Sequence, residues 1–168
     1  MTGPLRTPST GHDDAEAMGL ISKILPEGNV VIDAESTSKK RVFERAGILF
    51  ENELEIARSQ VFDSLFARER LGSTGLGQGV AIPHGRVKGL RDAVGAFFRT
   101  RNPIAFDAPD GLPVTMIFVL LVPERATDLH LQLLGELAQM FSDRNFREQL
   151  QSLDDPAAIH KLFTGWKA

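Results

Sequence analysis

Residues 114–122, VTMIFVLLV, are apolar throughout except for Thr115. The run is far short of the roughly 20 residues that cross a bilayer. It is also too continuous for a strand with one face in water, which would alternate apolar and polar side chains. It therefore predicts a central strand buried on both faces, and such a strand needs helices above and below it. Further strands are expected over 93–99 and, more briefly, over 30–32 and 80–82. The linker NPIAFDAPDG reads as a loop with turns at Pro103 and at Asp110-Gly111.

Helices are expected around these strands. One runs over 15–25 and is stopped by Pro26 and Gly28. Another is capped by a hydroxyl of Ser36, Thr37 or Ser38 and runs to about Phe50, with Val42, Phe43, Ala46 and Leu49/Phe50 at helical spacing. A third spans 54–71. After Pro123, Thr127 or Asp128 caps a helix to about Ser142, and Asp143 or Asn145 starts a short one. Asp155-Pro156 supplies an N-cap and a first-turn proline for the last. The expected fold is α/β: a single layered domain over 15–168 with a mixed sheet and helices on both faces. Residues 1–14 are expected to be a disordered lead-in, too poor in apolar side chains to offset ordering entropy.

Composition narrows the chemistry. The chain has no cysteine, so neither a disulfide framework nor a thiolate metal site is available. A formal charge of −3 argues against broad contact with a nucleic-acid backbone. The N-terminal residues lack the apolar core of a signal peptide, so a cytoplasmic protein without direct membrane insertion is expected.

Three residues stand out as candidates for a site. On the third helix Leu54, Val61, Leu65 and Arg68 fall near one line at 100° per residue, which turns an arginine toward the protein. Held there, its guanidinium needs a carboxylate or water as partner. The segment GSTGLGQGVAIPHGRVKG, 72–89, is glycine-rich but fits neither GxxxxGK[ST] nor GxGxxG, because Gly75, Gly77 and Gly79 do not extend to either pattern. Its backbone can form an anion-binding concavity, or its glycines can simply supply the positive φ of a tight hairpin. It leads into His84, set between Pro83 and Gly85, a presentation that suits an imidazole offered to another macromolecule and equally suits a turn histidine bonded to its neighbours. His130 falls in the first turn of its helix, on a stripe with Leu133/Leu134, Leu137 and Phe141. A helix N-terminus favours a nearby anion, and the ring can donate to one or merely pack on the core. His12 and His160 are expected to be solvated.

Taken together, FDSLFARERL, GSTGLGQGVAIPHG, AFDAPDG, LLVP and a helix opening with HL resemble the mannitol/fructose-type enzyme IIA family, and most of all its nitrogen-regulatory branch. The resemblance spans about residues 20–162. It implies a phosphocarrier of the phosphoenolpyruvate-dependent phosphotransferase system, with His84 phosphorylated by an HPr-type histidine carrier protein and no cofactor. It implies that Arg68 and His130 share the pocket, with Ser73, Thr74, Gly77, Gly79 and Gly85 as weaker phosphate-site candidates. Some relatives carry a second histidine where this chain has Gln132. Leu76, Val80 and Val87 are candidates for an apolar docking ring, and regulatory target proteins are implied as partners. Two alternatives remain: a free-standing sugar-specific IIA feeding a separate IIB partner, and a metal-dependent hydrolase built on His84, His130 and Asp128. The second lacks any HxxxH or HxH spacing.

Overall fold

The computed structural model describes residues 19–125 and 128–167. Along the chain run β1 (Val30–Ala34), α1 (Lys39–Leu54), α2 (Arg58–Glu69), β2 (Gly75–Gly77), β3 (Val80–Ala81), β4 (His84–Val87), β5 (Val94–Ile104), β6 (Val114–Pro123), α3 (Asp128–Ser142), α4 (Arg144–Ser152) and α5 (Pro156–Thr164). The strands form one mixed sheet in the order β1-β5-β6-β3-β2, with β4 also paired to β6. β1 lies parallel to β5, β5 antiparallel to β6, and both β3 and β4 parallel to β6.

β6 is the spine expected from its composition. Met116, Phe118, Leu120 and Val122 face a core shared with α3, α4 and α5. Ile117, Val119 and Leu121 face a second core shared with α1 and α2. Complete burial of each large side chain contributes about 1.5–3 kcal/mol, so this strand dominates the sheet energetically. The layered α/β arrangement with a mixed sheet and helices on both faces is thus present.

Local chemistry sets the helix ends. Ser38 caps α1 by accepting from the Arg41 amide at 3.1 Å. Asp143 caps α4, and Asp155 caps α5 with Pro156 in the first turn. The helix expected over 54–71 is shorter, because α1 takes Leu54 and ends at Glu55 in the left-handed conformation. Its buried line is consequently Val61, Leu65 and Glu69. Arg68 sits on the flank of that line, half-buried.

Three further expectations need correction. In place of a helix over 15–25, the described residues show one 3-10 turn at Ile21–Lys23. Gly19 has φ +88°, and the amides of Leu20 and Ile21 donate to the Glu136 carboxylate on α3 at 3.1 Å each. Pro103 makes no turn but lies within β5, where pairing with β6 is irregular between Arg99 and Ile104, so its missing donor breaks no ladder bond. His160 is half-buried rather than free in solvent: its Nε2 meets the Leu25 carbonyl at 2.8 Å, joining α5 to the segment before β1. The 1–14 lead-in, His12 and Thr127 lie outside the described residues.

Candidate functional site

The glycine-rich segment resolves into two pieces with different geometry. Its first half is a hairpin, β2 against β3, whose tip carries Gly77, Gln78 and Gly79 at φ +91°, +59° and +79°. The Gln78 amide donates to Asp110 at 2.9 Å, and this bond with one from the Leu112 amide holds the Asp110 carboxyl below its usual range. Here the glycines serve the turn. Gly77 lines a depression with Phe141 and Arg147, away from the two imidazoles.

The second half begins at Ile82-Pro83. β3 and β4 are two short strands laid end to end along β6, Val80 and Ala81 beside Met116 and Ile117, His84 to Val87 beside Leu120 to Pro123. Pro83 accepts from the Leu120 amide at 2.9 Å but cannot donate, so the ladder is interrupted between the two. The His84 ring folds back into that interruption, its Nδ1 2.9 Å from the Ile82 carbonyl. A carbonyl oxygen only accepts, so Nδ1 carries the proton and Nε2 is left with its lone pair. Gly85 is required by packing: a Cβ there would lie 2.0 Å from Ser64 Oγ and 2.9 Å from the Ser64 carbonyl oxygen. Ser64 in turn donates to the Arg86 carbonyl at 2.9 Å, fastening β4 to α2.

Around this imidazole is a depression of about 350 Å³ lined by Ser64, Ala67, Arg68, Leu71, His84, Gly85, Arg86 and His130. The His84 and His130 rings meet edge to face with centroids 5.4 Å apart. Arg68 donates from Nη1 to the Gly72 carbonyl at 2.8 Å, so its partner is a backbone oxygen rather than a carboxylate. The buried Nε2 of His130 has no hydrogen-bond partner among the described residues. Both imidazoles are held below the ordinary histidine pKa. Burial is the main cause at His84, where the Ile82 bond opposes it and Arg68 and Arg86 reinforce it. Burial is again the main cause at His130, followed by His84 and Arg86.

The weaker candidates are placed as follows. Ser73 and Thr74 line an adjoining depression with Arg68 and His84, but their hydroxyls are engaged. Ser73 donates to the Phe106 carbonyl and Thr74 to the Glu69 carboxylate. Gly79 belongs to the hairpin tip, its carbonyl accepting from the Thr115 and Met116 amides. Of the expected apolar ring only Leu76 is exposed; Val80 and Val87 are 1% exposed and belong to the core. Leu71, Leu129 and Leu131 are exposed instead, the latter two flanking His130 on α3.

Arg86 was not anticipated from the sequence, although its position two beyond His84 on a strand places it on the same side. Its Nη1 donates to the Glu124 carbonyl at 3.0 Å, in the turn between β6 and α3. Among the described residues no three histidine, aspartate or glutamate side chains converge as metal ligands, and Asp128 is exposed. The hydrolase alternative therefore draws no support from the geometry.

The mixed sheet covered on both faces is shared with enzyme IIA mannitol from Escherichia coli, which superimposes with a TM-score of 0.70 at 18% identity, over 82% of this chain and 97% of that one. The family described as "Phosphoenolpyruvate-dependent sugar phosphotransferase system, EIIA 2" matches residues 23–165. The chain belongs to that family. Within it, the chain is 41% identical to the nitrogen regulatory protein of Pseudomonas aeruginosa over 143 residues, 84% of this chain and 93% of the relative. The crystal structure of nitrogen regulatory protein IIA-Ntr from Neisseria meningitidis is 54% identical, with a TM-score of 0.82 over 86% of this chain and 99% of that one.

Proposed function

We propose that this protein is a nitrogen-regulatory phosphocarrier that takes a phosphoryl group onto Nε2 of His84 from the phosphohistidine of an HPr-type protein, and acts on target proteins according to its phosphorylation state. The observation that carries the reading is the Nδ1 bond to the Ile82 carbonyl, which leaves Nε2 as the free lone pair beside Arg68 and His130. In the transfer the Nε2 lone pair forms the new N–P bond as the donor's N–P bond breaks. The leaving electron pair stays on the donor imidazole, which takes up a proton from solvent, and the positive charge gained by the His84 ring is balanced by the phosphoryl oxygens. The ring of His84, now substituted at Nε2, keeps its Nδ1–H on Ile82.

Such a step needs in-line positioning and compensation of negative charge more than covalent help. Arg68 and His130 are the compensating groups in this account. A phosphoryl oxygen would give the His130 Nε2 the partner it lacks, and a buried polar atom without one is costly. The guanidinium of Arg68 has five N–H donors, of which the Gly72 carbonyl engages only a part. The donor docks on the exposed leucines 71, 76, 129 and 131. No described helix is long and apolar enough to cross a membrane, and the reaction is assigned to the cytoplasm. The nitrogen-regulatory naming of the Pseudomonas and Neisseria relatives favours the regulatory role over supply of a sugar-specific IIB partner.

Incubation with phosphoenolpyruvate, enzyme I and the HPr-type protein, followed by intact mass, tests this. Wild type should gain one phosphoryl group, and His84→Ala should gain none while melting normally. A phosphorylated His84→Ala protein contradicts the assignment.

A further inference from the structure

Glu69 is an electrostatically awkward residue. It is the last residue of α2, where the helix dipole opposes a negative charge, and its side chain is only 3% exposed. Burying a carboxylate there is costly unless donors surround it, and they do. Oε2 accepts from Lys39 Nζ at 2.9 Å and from the Thr74 amide at 3.0 Å, while Oε1 accepts from the Thr74 hydroxyl at 2.7 Å. Lys39 is itself held 4.7 Å over the Phe106 ring.

The bonds continue toward the pocket. The Thr74 carbonyl accepts from the Ile82 amide at 3.0 Å, and the Ile82 carbonyl accepts from Nδ1 of His84 at 2.9 Å. Hydrogen bonds linked through the backbone of Thr74 and of Ile82 therefore join Lys39 and Glu69 to the imidazole, and the three residues between the half-exposed ends, Glu69, Thr74 and Ile82, are buried. Adjacent residues of one helix divide the labour: Arg68 faces the depression and Glu69 faces the scaffold.

We propose that Glu69, anchored by Lys39, is a positioning residue that acts through Thr74 and Ile82 to fix the His84 ring in its Nδ1–H tautomer and to aim Nε2 into the pocket. Glu69 touches neither the imidazole nor any transferred group. Its effect is on the plane and protonation pattern of the ring, as an outer partner sets the tautomer of an oriented histidine. The inference rests on the phosphocarrier reading only for its kinetic consequence, because the tautomer is a property of the unphosphorylated protein.

The test is nitrogen-15 NMR of histidine-labelled, unphosphorylated protein, alongside transfer from the phosphorylated HPr-type carrier and thermal melts. Wild type should show His84 as the Nδ1–H tautomer. Glu69→Gln takes the counter-charge from Lys39 and leaves one acceptor oxygen in place of two, so its NH2 must turn either to the Thr74 amide and Lys39 or to the Thr74 hydroxyl; it should give mixed tautomers and transfer slowed on the order of tenfold per folded molecule. Thr74→Val keeps the backbone bond and removes the hydroxyl; it should show the same change more weakly, and Thr74→Ser should restore wild-type behaviour. If Glu69→Gln does not fold, the two Thr74 variants decide. Folded variants with an unchanged tautomer and transfer rate overturn the proposal. A wild-type protein that keeps the Nδ1–H tautomer yet accepts no phosphate would overturn the phosphocarrier reading and leave this one standing.

Discussion

The two walls of the histidine depression are held by different means. On the α2 wall, Gly85 meets Ser64 too closely for any Cβ, Ser64 holds the Arg86 carbonyl, and Glu69 holds Thr74. On the α3 wall, His130 brings a buried ring nitrogen with no partner among the described residues. The first wall is set by packing and hydrogen bonds before anything arrives. The second has a donor whose bond is completed, in this account, only by a phosphoryl oxygen. A group-transfer pocket gains from this division: the nucleophile is aimed in advance, and the compensating donor acts where charge appears.

Disturbing the α2 wall should have the largest effect. Gly85→Ala forces β4 away from α2, costing about 1–3 kcal/mol of stability by overpacking and displacing His84, so transfer per folded molecule should also fall. Gly77→Ala is the control from the hairpin half of the same segment. At φ +91° it should cost a similar amount, about 1–3 kcal/mol, through backbone strain, yet leave transfer per folded molecule unchanged. Melts and single-turnover transfer on both variants make the comparison. Equal loss of transfer in the two would erase the distinction between the halves.

Next come the charge-compensating groups. Arg68→Ala and His130→Ala should each slow transfer, or shorten phosphohistidine lifetime, by roughly ten- to a hundredfold, the range of one charge-assisted hydrogen bond. Melting temperature should be little changed, and for His130→Ala it should hold or rise, since an unsatisfied buried nitrogen is removed. If either variant unfolds while per-molecule transfer is intact, that residue belongs to the scaffold.

The smallest effect is that of pH. Both imidazoles are held below the ordinary value of 6.5, chiefly by burial. Between the depressed folded values and 6.5 the unfolded chain binds more protons than the folded one, so stability rises with pH across that window and is lost as pH falls through it. Above 6.5 these two groups add no slope. The neutral nucleophile persists to lower pH for the same reason, so acceptance should hold from neutrality down to 6.5 and decline only below it. Transfer rates and melts over roughly pH 5 to 8 check both, and a decline centred above 6.5 would contradict them.

What was legible in the sequence follows the same physical line. β6 announces itself because burial on both faces leaves only apolar residues, and the caps at Ser38, Asp143 and Asp155 are local chemistry. β2 and β4 are not legible, since three or four residues rich in glycine pair only because β6 and β3 lie beside them. Helical arithmetic brings Arg68 near the inward line but misses that Glu69 is buried on it, because Leu54, which belongs to α1, is counted on the line and draws its centre toward Arg68. His84 and His130 are nameable as candidates; their edge-to-face approach joins segments far apart in the chain, and the Ile82 bond, although only two residues away, depends on the conformation β4 takes beside β6. Leu71, Leu129 and Leu131 carry no sequence mark, because exposure of an apolar side chain is a property of the folded surface.

In the proposed reaction the carbonyl of Ile82 decides which nitrogen of His84 reacts. Nitrogen-15 and phosphorus-31 NMR of the phosphorylated, histidine-labelled protein tests it directly. The account predicts one phosphoryl group, on Nε2 of His84, with Nδ1 still protonated. A phosphoryl group on Nδ1 of His84, or on any other residue, would contradict it.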